Sequence, residues 1–318
     1  MLDGNGVRVE RSHPEPVAGP GDVRIRVLRA GVCETDLQLV RGYMGFQGIL
    51  GHEFVGVAES GPFAGHRVVG EINCACGACA TCESGLRTHC PHRSVLGILN
   101  HDGVFADTAV LPQANLHPVP GSVATDEAVF AEPLAAAFQI PAQMTIDPRD
   151  NVVVLGDGRL GNLYAQVLGT LTGHVLVVGK HPEKLEVLRA MGIATCLLAD
   201  APVDRSADVV VDCTGSDSGL PLALRIVRPR GTIVMKTTVA GEHAMALAGI
   251  VIDELTLVGS RCGPFDRALT ALSDRTVQVR PLISARFPLD RGLDALEAAR
   301  GGALKVLIDV GDQGPLPE

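Results

Sequence analysis

The sequence lacks several features that would place it in other classes of protein. Its formal net charge is −9, from 36 acidic side chains against 27 of Lys and Arg. A protein that binds a nucleic-acid backbone needs a basic face, so we expect no nucleic-acid partner. No stretch approaches the roughly 18 uncharged apolar residues of a membrane span, and the N-terminus lacks the apolar core of a signal peptide. We therefore expect a cytoplasmic protein with no membrane partner.

Cysteine, by contrast, is plentiful. Five of the nine cysteines lie between Cys74 and Cys90. In a small secreted protein this density would indicate disulfides, but in a long chain without a signal peptide it indicates metal ligands and a reducing compartment. The pattern C-x2-C-x2-C-x7-C predicts a closed, structural four-thiolate zinc site, because it leaves no ligand position open for substrate. Its ligands are Cys76, Cys79, Cys82 and Cys90.

The stretch NVVVLGDGRLG at 151–161 predicts a nucleotide-binding loop. Three valines indicate a buried strand, and the glycines follow where a strand turns into a helix. Gly156 permits the turn, Gly158 lets a pyrophosphate approach the backbone, and Gly161 lets the helix pack closely on the strand. The apolar run Val175–Val178 completes a β-α-β unit, which favours this interpretation over a glycine-rich turn of another α/β domain.

The pattern downstream of the glycine loop alternates between strands and helices. It predicts six strands in a doubly wound parallel Rossmann sheet. Residues 95–120 contain short apolar runs separated by turn residues, and Val23–Leu28 alternates apolar and polar side chains, so we expect a mainly β, barrel-like domain there. At 318 residues the chain is long enough for two domains. We expect 1–133 and 263–318 to form the catalytic domain, and 134–262 to form the dinucleotide-binding domain.

A second set of metal ligands is less certain from the residues alone. Cys33, His52 and Glu132 lie far apart in the sequence. Three distant ligands are what a catalytic zinc uses, because its fourth position stays open. A lone cysteine or histidine, however, is more often a buried core residue, and the residue types leave both interpretations open.

Several ordered motifs together resemble the zinc-dependent medium-chain alcohol dehydrogenases, and most of all their sorbitol and threonine dehydrogenase-like branch. The resemblance implies a GroES-like catalytic domain, two zinc ions per chain, and hydride transfer between a secondary alcohol or polyol and a nicotinamide cofactor. It also implies a homodimer or homotetramer that acts on a small-molecule alcohol or carbonyl substrate. The motifs are GVCETD, GHEFVG, the four-cysteine lobe, EPLAAA, GDGRLG, VRPLISARFPL and LKVLIDV.

The same resemblance implies roles for individual residues. Cys33, His52 and Glu132 become the ligands of the catalytic zinc. Thr35 takes the place of the hydroxyl that passes on the alcohol proton, Asp36 that of the carboxylate that orients His52, Glu53 that of a carboxylate near the zinc, and Lys305 that of a cation against the cofactor pyrophosphate. Gln38 stands where many relatives have a relay histidine, and Glu34 stands where some have an arginine, so the relay departs from the family pattern.

Two alternatives belong to other functional classes. A nucleotide- and zinc-binding relative without turnover need not retain the Cys33, His52, Glu132 set, because a fold alone does not certify a function. A zinc-free quinone-type reductase of the same superfamily would lack both metal sites.

The end of the second strand predicts the cofactor. Enzymes that use NAD place Asp or Glu there to bind the ribose hydroxyls, whereas this chain has Gly179, Lys180 and His181. The absent acid and the added base favour NADP over NAD. Leu160, in the glycine loop, and Thr214, after a later strand, are further expected cofactor contacts.

Overall fold

The computed structural model describes residues 1–237 and 247–311, and the statements below concern these residues. They form two units. The first comprises Met1–Glu132, Ala268–Asp274 and the chain from Leu282 to the last described residue. The second comprises the described residues of Pro133–Arg267 together with Arg275–Pro281.

The strands and helices are numbered here in chain order. The strands are β1 Leu2–Asp3, β2 Gly6–Val7, β3 Asp22–Gly31, β4 Glu53–Ala58, β5 Arg67–Gly70, β6 Asn73–Cys74, β7 Ser94–Val95, β8 Thr108–Pro112, β9 Leu116–Pro118, β10 Val152–Leu155, β11 Val175–Gly179, β12 Ala194–Leu197, β13 Ala207–Asp212, β14 Val227–Met235, β15 Thr256–Gly259, β16 Ile283–Pro288 and β17 Lys305–Asp309. The α-helices are α1 Glu34–Val40, α2 Ala80–Glu83, α3 Thr125–Ala128, α4 Ala131–Gln143, α5 Arg159–Gly169, α6 Pro182–Arg189, α7 Gly219–Ile226, α8 Ala248–Ile252, α9 Phe265–Ser273 and α10 Gly292–Arg300. Short 3-10 turns occur at Tyr43–Gly45, Gly61–Phe63, Arg87–His89, Gln113–Asn115, Leu198–Asp200, Arg280–Leu282 and Leu289–Arg291.

The first unit is built on a mainly antiparallel sheet in the order β16-β17-β3-β4-β5-β9, with β8 also paired to β3. The long strand β3 has the predicted alternation, because Val23, Ile25 and Val27 are at most 2% exposed while Arg26 faces solvent. The register pairs Gly31 of β3 with Glu53 of β4 and with Leu307 of β17. The end of β3 therefore lies between the start of β4 and the first half of β17.

The second unit contains a six-stranded parallel sheet in the order β12-β11-β10-β13-β14-β15. The predicted doubly wound fold is confirmed. The chain moves outward from β10 through β11 to β12 and then returns to β13 on its other side. Ligands of such sheets bind where this reversal occurs, at the carboxyl ends of the strands.

Strand β14 is longer than the sequence indicates. The apolar pattern predicts a strand from Thr232, but the observed strand begins at Val227, which pairs with Ala207. Arg230 has φ +61°, and the register with β13 shifts between Ala207 and Val209. The early start is not evident from the sequence, because the residues Arg228, Pro229 and Arg230 are polar or lack an N–H group and form an exposed, irregular part of the strand.

None of the helices in the described part of the chain is both long and apolar enough to cross a bilayer.

Candidate functional site

Cys33, His52 and Glu53 bring three metal-binding atoms together in the first unit. Their sulfur, ring nitrogen and carboxylate oxygen all lie within 4.8 Å of one another. The strand register explains this, because Cys33 follows β3 closely and the other two residues stand at the start of β4, its neighbour. His52 is 2% exposed and Glu53 is fully buried. A sulfur, a nitrogen and an oxygen at this separation suit zinc, whose bonds to such ligands are about 2.0–2.3 Å long.

Asp36 contacts the segments that carry two of these metal-binding residues, Cys33 and His52. Its carboxylate is fully buried, and it accepts the backbone N–H of Cys33 at 2.8 Å and that of Gly51 at 3.2 Å. One of its oxygens also lies 3.3 Å from Nδ1 of His52. This contact assigns Nδ1 to the carboxylate and leaves Nε2 as the ligand atom, as in other carboxylate–histidine–metal arrangements.

The protonation of His52 responds to the same neighbours. Burial on its own lowers the pKa of His52, but the charges of Asp36 and Cys33 outweigh it, so the pKa lies well above its usual value. A proton and a metal ion therefore compete for the same ring nitrogen. Metal binding at this site must release protons, and its affinity must depend on pH.

Lys305 reaches the same group from β17. Its ammonium contacts the carboxylate of Glu53 and lies 5.5 Å from the centre of the Phe130 ring. The side chain is fully buried. Burial lowers the pKa of Lys305 to about 8, although the charges of Cys33 and Asp36 oppose the shift. The expected contact of Lys305 with a cofactor pyrophosphate stays a prediction, and what the structure describes is its pairing with Glu53.

The remaining residues expected at the catalytic zinc divide into two groups. Thr35 lies close to the ligands, with its hydroxyl oxygen 3.8 Å from the Cys33 sulfur. Glu132, in the first turn of α4, is not part of the group of ligand atoms within 4.8 Å, where Glu53 supplies the carboxylate. The assignment of Glu132 as a ligand therefore stays a prediction.

Glu34 and Gln38, the two residues of the relay region that depart from the family pattern, contact each other. The amide nitrogen of Gln38 donates to the carboxylate of Glu34 at 2.7 Å across one turn of α1. The amide group of Gln38 is therefore engaged with an acidic side chain of its own helix.

The four predicted structural ligands form the second group of potential metal ligands among the described residues. A tetrahedral zinc with Zn–S bonds of about 2.3 Å has S–S edges of about 3.8 Å. The observed Sγ–Sγ distances are 3.5 Å for Cys76–Cys90, 3.6 Å for Cys79–Cys82, 3.8 Å for Cys79–Cys90 and 4.0 Å for Cys76–Cys82. The sulfurs are thus already spaced for a zinc ion.

The surroundings lower the pKa of two of these thiols, whereas burial raises the pKa of Cys82 to about 11. The backbone N–H of Cys76 is the main cause that lowers the pKa of Cys90 to about 6. The backbone N–H of Cys82 likewise lowers the pKa of Cys79. Burial likewise raises the pKa of Cys74 to about 11, and its sulfur stands outside the group of four ligand atoms. A zinc-free reductase would lack both groups of ligands, and this chain assembles both.

The glycine loop of the second unit has the shape that a pyrophosphate requires. Gly156 has φ +122°, and a side chain there would lie 2.9 Å from the carbonyl oxygen of Cys213. A side chain at Gly161 would overlap the carbonyl oxygen of Gly156. At Gly158, the first residue before α5, a side chain would meet no atom within 4 Å. Gly158 thus combines open space with a position at the N-terminus of a helix, which is a favourable place for an anion.

The carboxyl ends of the neighbouring strands complete this surface. Leu160 lies in the first turn of α5. Thr214 follows β13 and donates its hydroxyl to the buried carboxylate of Asp212 at 2.8 Å. Gly179 ends β11, and Lys180 after it is exposed to solvent.

Asp157 is a residue that the sequence analysis did not single out. It is the variable residue between the first two glycines of the loop, and its carboxylate lies beside Gly179. It accepts the backbone N–H groups of Lys180 at 2.6 Å and His181 at 2.7 Å. Burial raises the pKa of Asp157, but its bonds to His181 and Lys180 lower it more, so the net pKa falls below the usual value.

Family models match both parts of the chain. Residues 19–121 match the alcohol dehydrogenase GroES-like domain, and residues 158–276 match the zinc-binding dehydrogenase model. The chain is 30% identical to a sorbitol dehydrogenase of Halalkalibacterium halodurans, over 96% of each chain. It is 32% identical to an L-threonine 3-dehydrogenase of Streptomyces avermitilis, over 93% of this chain and 94% of that one.

Solved structures agree with these relatives. An alcohol dehydrogenase from Thermus sp. ATN1 has a TM-score of 0.88 and 28% identity, over 98% of this chain and 99% of that one. A zinc-binding dehydrogenase from Sinorhizobium meliloti 1021, solved with NADP bound, has a TM-score of 0.83 and 26% identity over 93% of each chain.

Proposed function

This chain belongs to the zinc-binding dehydrogenases with an alcohol dehydrogenase GroES-like domain, and on that premise we propose that its substrate is a secondary alcohol or a polyol. It is an oxidoreductase that transfers a hydride between an alcohol and a nicotinamide cofactor. The group formed by Cys33, His52 and Glu53 is the observation that carries the substrate proposal. A buried carboxylate among the ligands, together with the Thr35 hydroxyl near the Cys33 sulfur, supports a substrate with several hydroxyl groups.

Each residue of this group has a distinct task in the proposed reaction. Cys33, His52 and Glu53 hold the metal, Glu132 stays the predicted further ligand, and Asp36 keeps the His52 ring oriented. A zinc ion held there supplies a Lewis acid that lowers the pKa of a bound hydroxyl. The Thr35 hydroxyl oxygen then accepts the proton that the substrate gives up. Because Gln38 is bonded to Glu34, we propose that this proton passes from Thr35 to water.

We further propose two zinc ions per chain. The second occupies the four-cysteine lobe, where the spacing of the sulfurs and the lowered pKa of Cys90 support it. It stabilises the lobe and takes no part in the reaction, because four thiolates leave no open position.

We propose NADP as the preferred cofactor. Lys180 offers an exposed positive charge directly after β11, and residue 179 is glycine. The negative charge of Asp157 is offset by two backbone N–H groups and by His181, whose Nδ1 lies 3.0 Å from both carboxylate oxygens. Lys180 therefore remains available for a 2′-phosphate.

A substrate panel tests the function. Secondary alcohols, polyols and hydroxy-amino acids are assayed with NADP and with NAD. We expect turnover of a secondary alcohol or polyol, and a higher kcat/KM with NADP. Turnover of hydroxy-amino acids alone would contradict the substrate class, and a higher kcat/KM with NAD would contradict the cofactor.

A substitution at Lys180 sharpens the cofactor test. Lys180→Ala should reduce the NADP/NAD ratio of kcat/KM by about tenfold, because a charge contact of about 1.4 kcal/mol is lost. Lys184→Ala, in the first turn of α6 after this strand end, is the matched control and should leave the ratio unchanged. Gly179→Asp is not a clean test, because its side chain would begin 2.5 Å from atoms of Asp157.

We also propose a homo-oligomer and a cytoplasmic location. Strand β15 forms one edge of the six-stranded sheet. The neighbouring helix α8 exposes Val251 by 74% and Ile252 by 78%. An unpaired edge beside apolar side chains favours pairing with a second copy across a two-fold axis. The thiolate-rich zinc lobe supports a reducing compartment.

A further inference from the structure

Asp157 joins two segments of the nucleotide-binding unit that are far apart in the sequence. It belongs to the glycine loop, and its partners Lys180 and His181 follow β11, 23 and 24 residues later. Its side chain is only 9% exposed. One carboxylate oxygen accepts both backbone N–H groups, at 2.6 and 2.7 Å. Distances this short are typical of bonds to an ionised acceptor.

The side chain of His181 adds a third donor to the same carboxylate. Its Nδ1 lies 3.0 Å from each of the two oxygens, while the ring is about half exposed. The carboxylate thus orients both the backbone and the imidazole of His181. Three donors surround the negative charge, so the turn after β11 cannot shift without leaving a largely buried carboxylate unpaired.

Gly179 leaves room for this arrangement. A side chain at Gly179 would begin 2.5 Å from the Cβ and from one oxygen of Asp157. In sheets of this type a strand-end acid at this position contacts the ribose. Here the space in which such a side chain would start is filled from the glycine loop, and the carboxylate that fills it is directed at the backbone.

The two charged residues near the end of β11, Asp157 and Lys180, differ in exposure. The carboxylate of Asp157 is buried and bonded, whereas the ammonium group of Lys180 belongs to an exposed residue. The same bonds that neutralise the carboxylate fix the main chain from which Lys180 extends. The turn is therefore held in one conformation before any cofactor arrives.

We propose that Asp157 is a positioning residue that holds Lys180 and His181 for the 2′-phosphate of the cofactor. This inference rests on the proposed preference for NADP. It assigns to the variable residue of the glycine loop a role in cofactor specificity, exercised through the backbone of the neighbouring strand end.

The test uses fragments that occupy only the adenosine end of the cofactor. The dissociation constants of adenosine 2′,5′-bisphosphate and of 5′-AMP are measured by calorimetry for the unmodified protein, Asp157→Ala and Asp157→Asn. Asp157→Ala should weaken the bisphosphate by at least about tenfold and 5′-AMP by less than about threefold. Asp157→Asn should recover most of the lost affinity, because its amide oxygen still accepts both N–H groups.

Asp208→Ala is the matched control. The carboxylate of Asp208 also accepts a backbone N–H, that of Asn151 at 2.8 Å, but it does so at the amino-terminal ends of β10 and β13, away from the carboxyl ends of the strands. It should reduce stability without changing the ratio of the two dissociation constants. If Asp157→Ala does not fold, the comparison rests on Asp157→Asn, whose weaker acceptor oxygen and lost His181 contact should still weaken the bisphosphate more than 5′-AMP.

Three results would overturn the proposal, each in a distinct way. Unchanged affinities for both fragments in both Asp157 variants would show that the contacts of Asp157 with Lys180 and His181 have no role in binding, while the NADP preference stands. A larger loss for 5′-AMP than for the bisphosphate would show that the carboxylate itself receives the ribose hydroxyls. An unmodified protein that binds 5′-AMP more tightly than the bisphosphate would remove the NADP preference and the positioning role with it.

Discussion

Asp36 is the residue whose charge organises the catalytic group. Replacing it by Asn keeps the shape and removes the charge that faces His52. Because such carboxylates hold the ligand ring and raise its basicity, Asp36→Asn should reduce zinc affinity at the catalytic site by about 10–100-fold. Competition with a chelator, read together with metal content, measures this loss.

Asp102→Asn provides the control for Asp36. Asp102 also accepts a backbone N–H, that of Ile49 at 2.8 Å, but its side chain is half exposed and lies outside the group of ligands. It should leave zinc affinity unchanged. Equal losses in both variants would mean that Asp36 acts only through local folding.

The residue types at the metal sites could be predicted from the sequence, but their partners could not. The spacing of the four cysteines is local, so their geometry follows from one short segment. The pairing of Glu53 with Lys305 depends on the register of three strands, β17, β3 and β4, which no local pattern encodes. The contacts of Asp157 could not be predicted, because they depend on how the end of β11 is placed beside the glycine loop in the folded chain.

At the scale of elements, the glycine loop offers a contrast between two glycines. Gly158→Ala should fold normally, because its added methyl group meets no atom within 4 Å. It should still raise the Kd for NADP by about tenfold or more, because the methyl group takes the space in which the phosphates approach the backbone. Gly161→Ala should instead destabilise the fold by about 1–3 kcal/mol, because its methyl group overlaps the Gly156 carbonyl.

Thermal melts and cofactor titrations separate these two effects. We expect a normal melting temperature with weak NADP binding for Gly158→Ala, and a lowered melting temperature for Gly161→Ala. Tight NADP binding by a folded Gly158→Ala variant would contradict the assignment of the loop.

The four-cysteine lobe is an element that the metal holds together. Cys79→Ser removes one thiolate, and because binding of a structural zinc is coupled to folding, the lobe should lose its zinc and its order. We expect faster proteolysis within residues 74–92 and a loss of at least about 2 kcal/mol of unfolding free energy. Cys74→Ser is the control, because Cys74 lies outside the group of sulfurs. An unchanged zinc content in Cys79→Ser would show that the site is misassigned.

Elements with strong apolar periodicity were the most predictable part of the fold. Strands β10 and β11 consist of valine and leucine apart from the terminal Gly179 and lie within a residue of the predicted apolar runs, and β13 contains three consecutive valines. The predicted start of β14 lies five residues after the observed start, because the first residues of the strand are polar and irregular. Burial on both faces creates the signal that sequence reasoning detects, and an exposed strand end does not have it.

At the scale of the whole molecule, the exposed face of α8 predicts assembly. Ile252→Glu places a charge on a side chain that is 78% exposed in the single chain. If β15 and α8 form the interface, this charge is desolvated on assembly and should shift the protein toward smaller species in light scattering. Val203→Glu, at an exposed loop valine, should leave the molar mass unchanged. A monomeric unmodified protein at micromolar concentration would refute the proposed oligomer.

The central claim is that a zinc ion held by Cys33, His52 and Glu53 is required for the oxidation of an alcohol. The most direct measurement is the rate of NADP reduction as a function of bound zinc, after a chelator has removed the ion that is held by three protein ligands rather than by four thiolates. We expect no turnover at one zinc per chain, a rate that rises in proportion as the second equivalent is restored, and no such recovery in Cys33→Ala. Full turnover at one zinc per chain, or full turnover by Cys33→Ala, would contradict the claim.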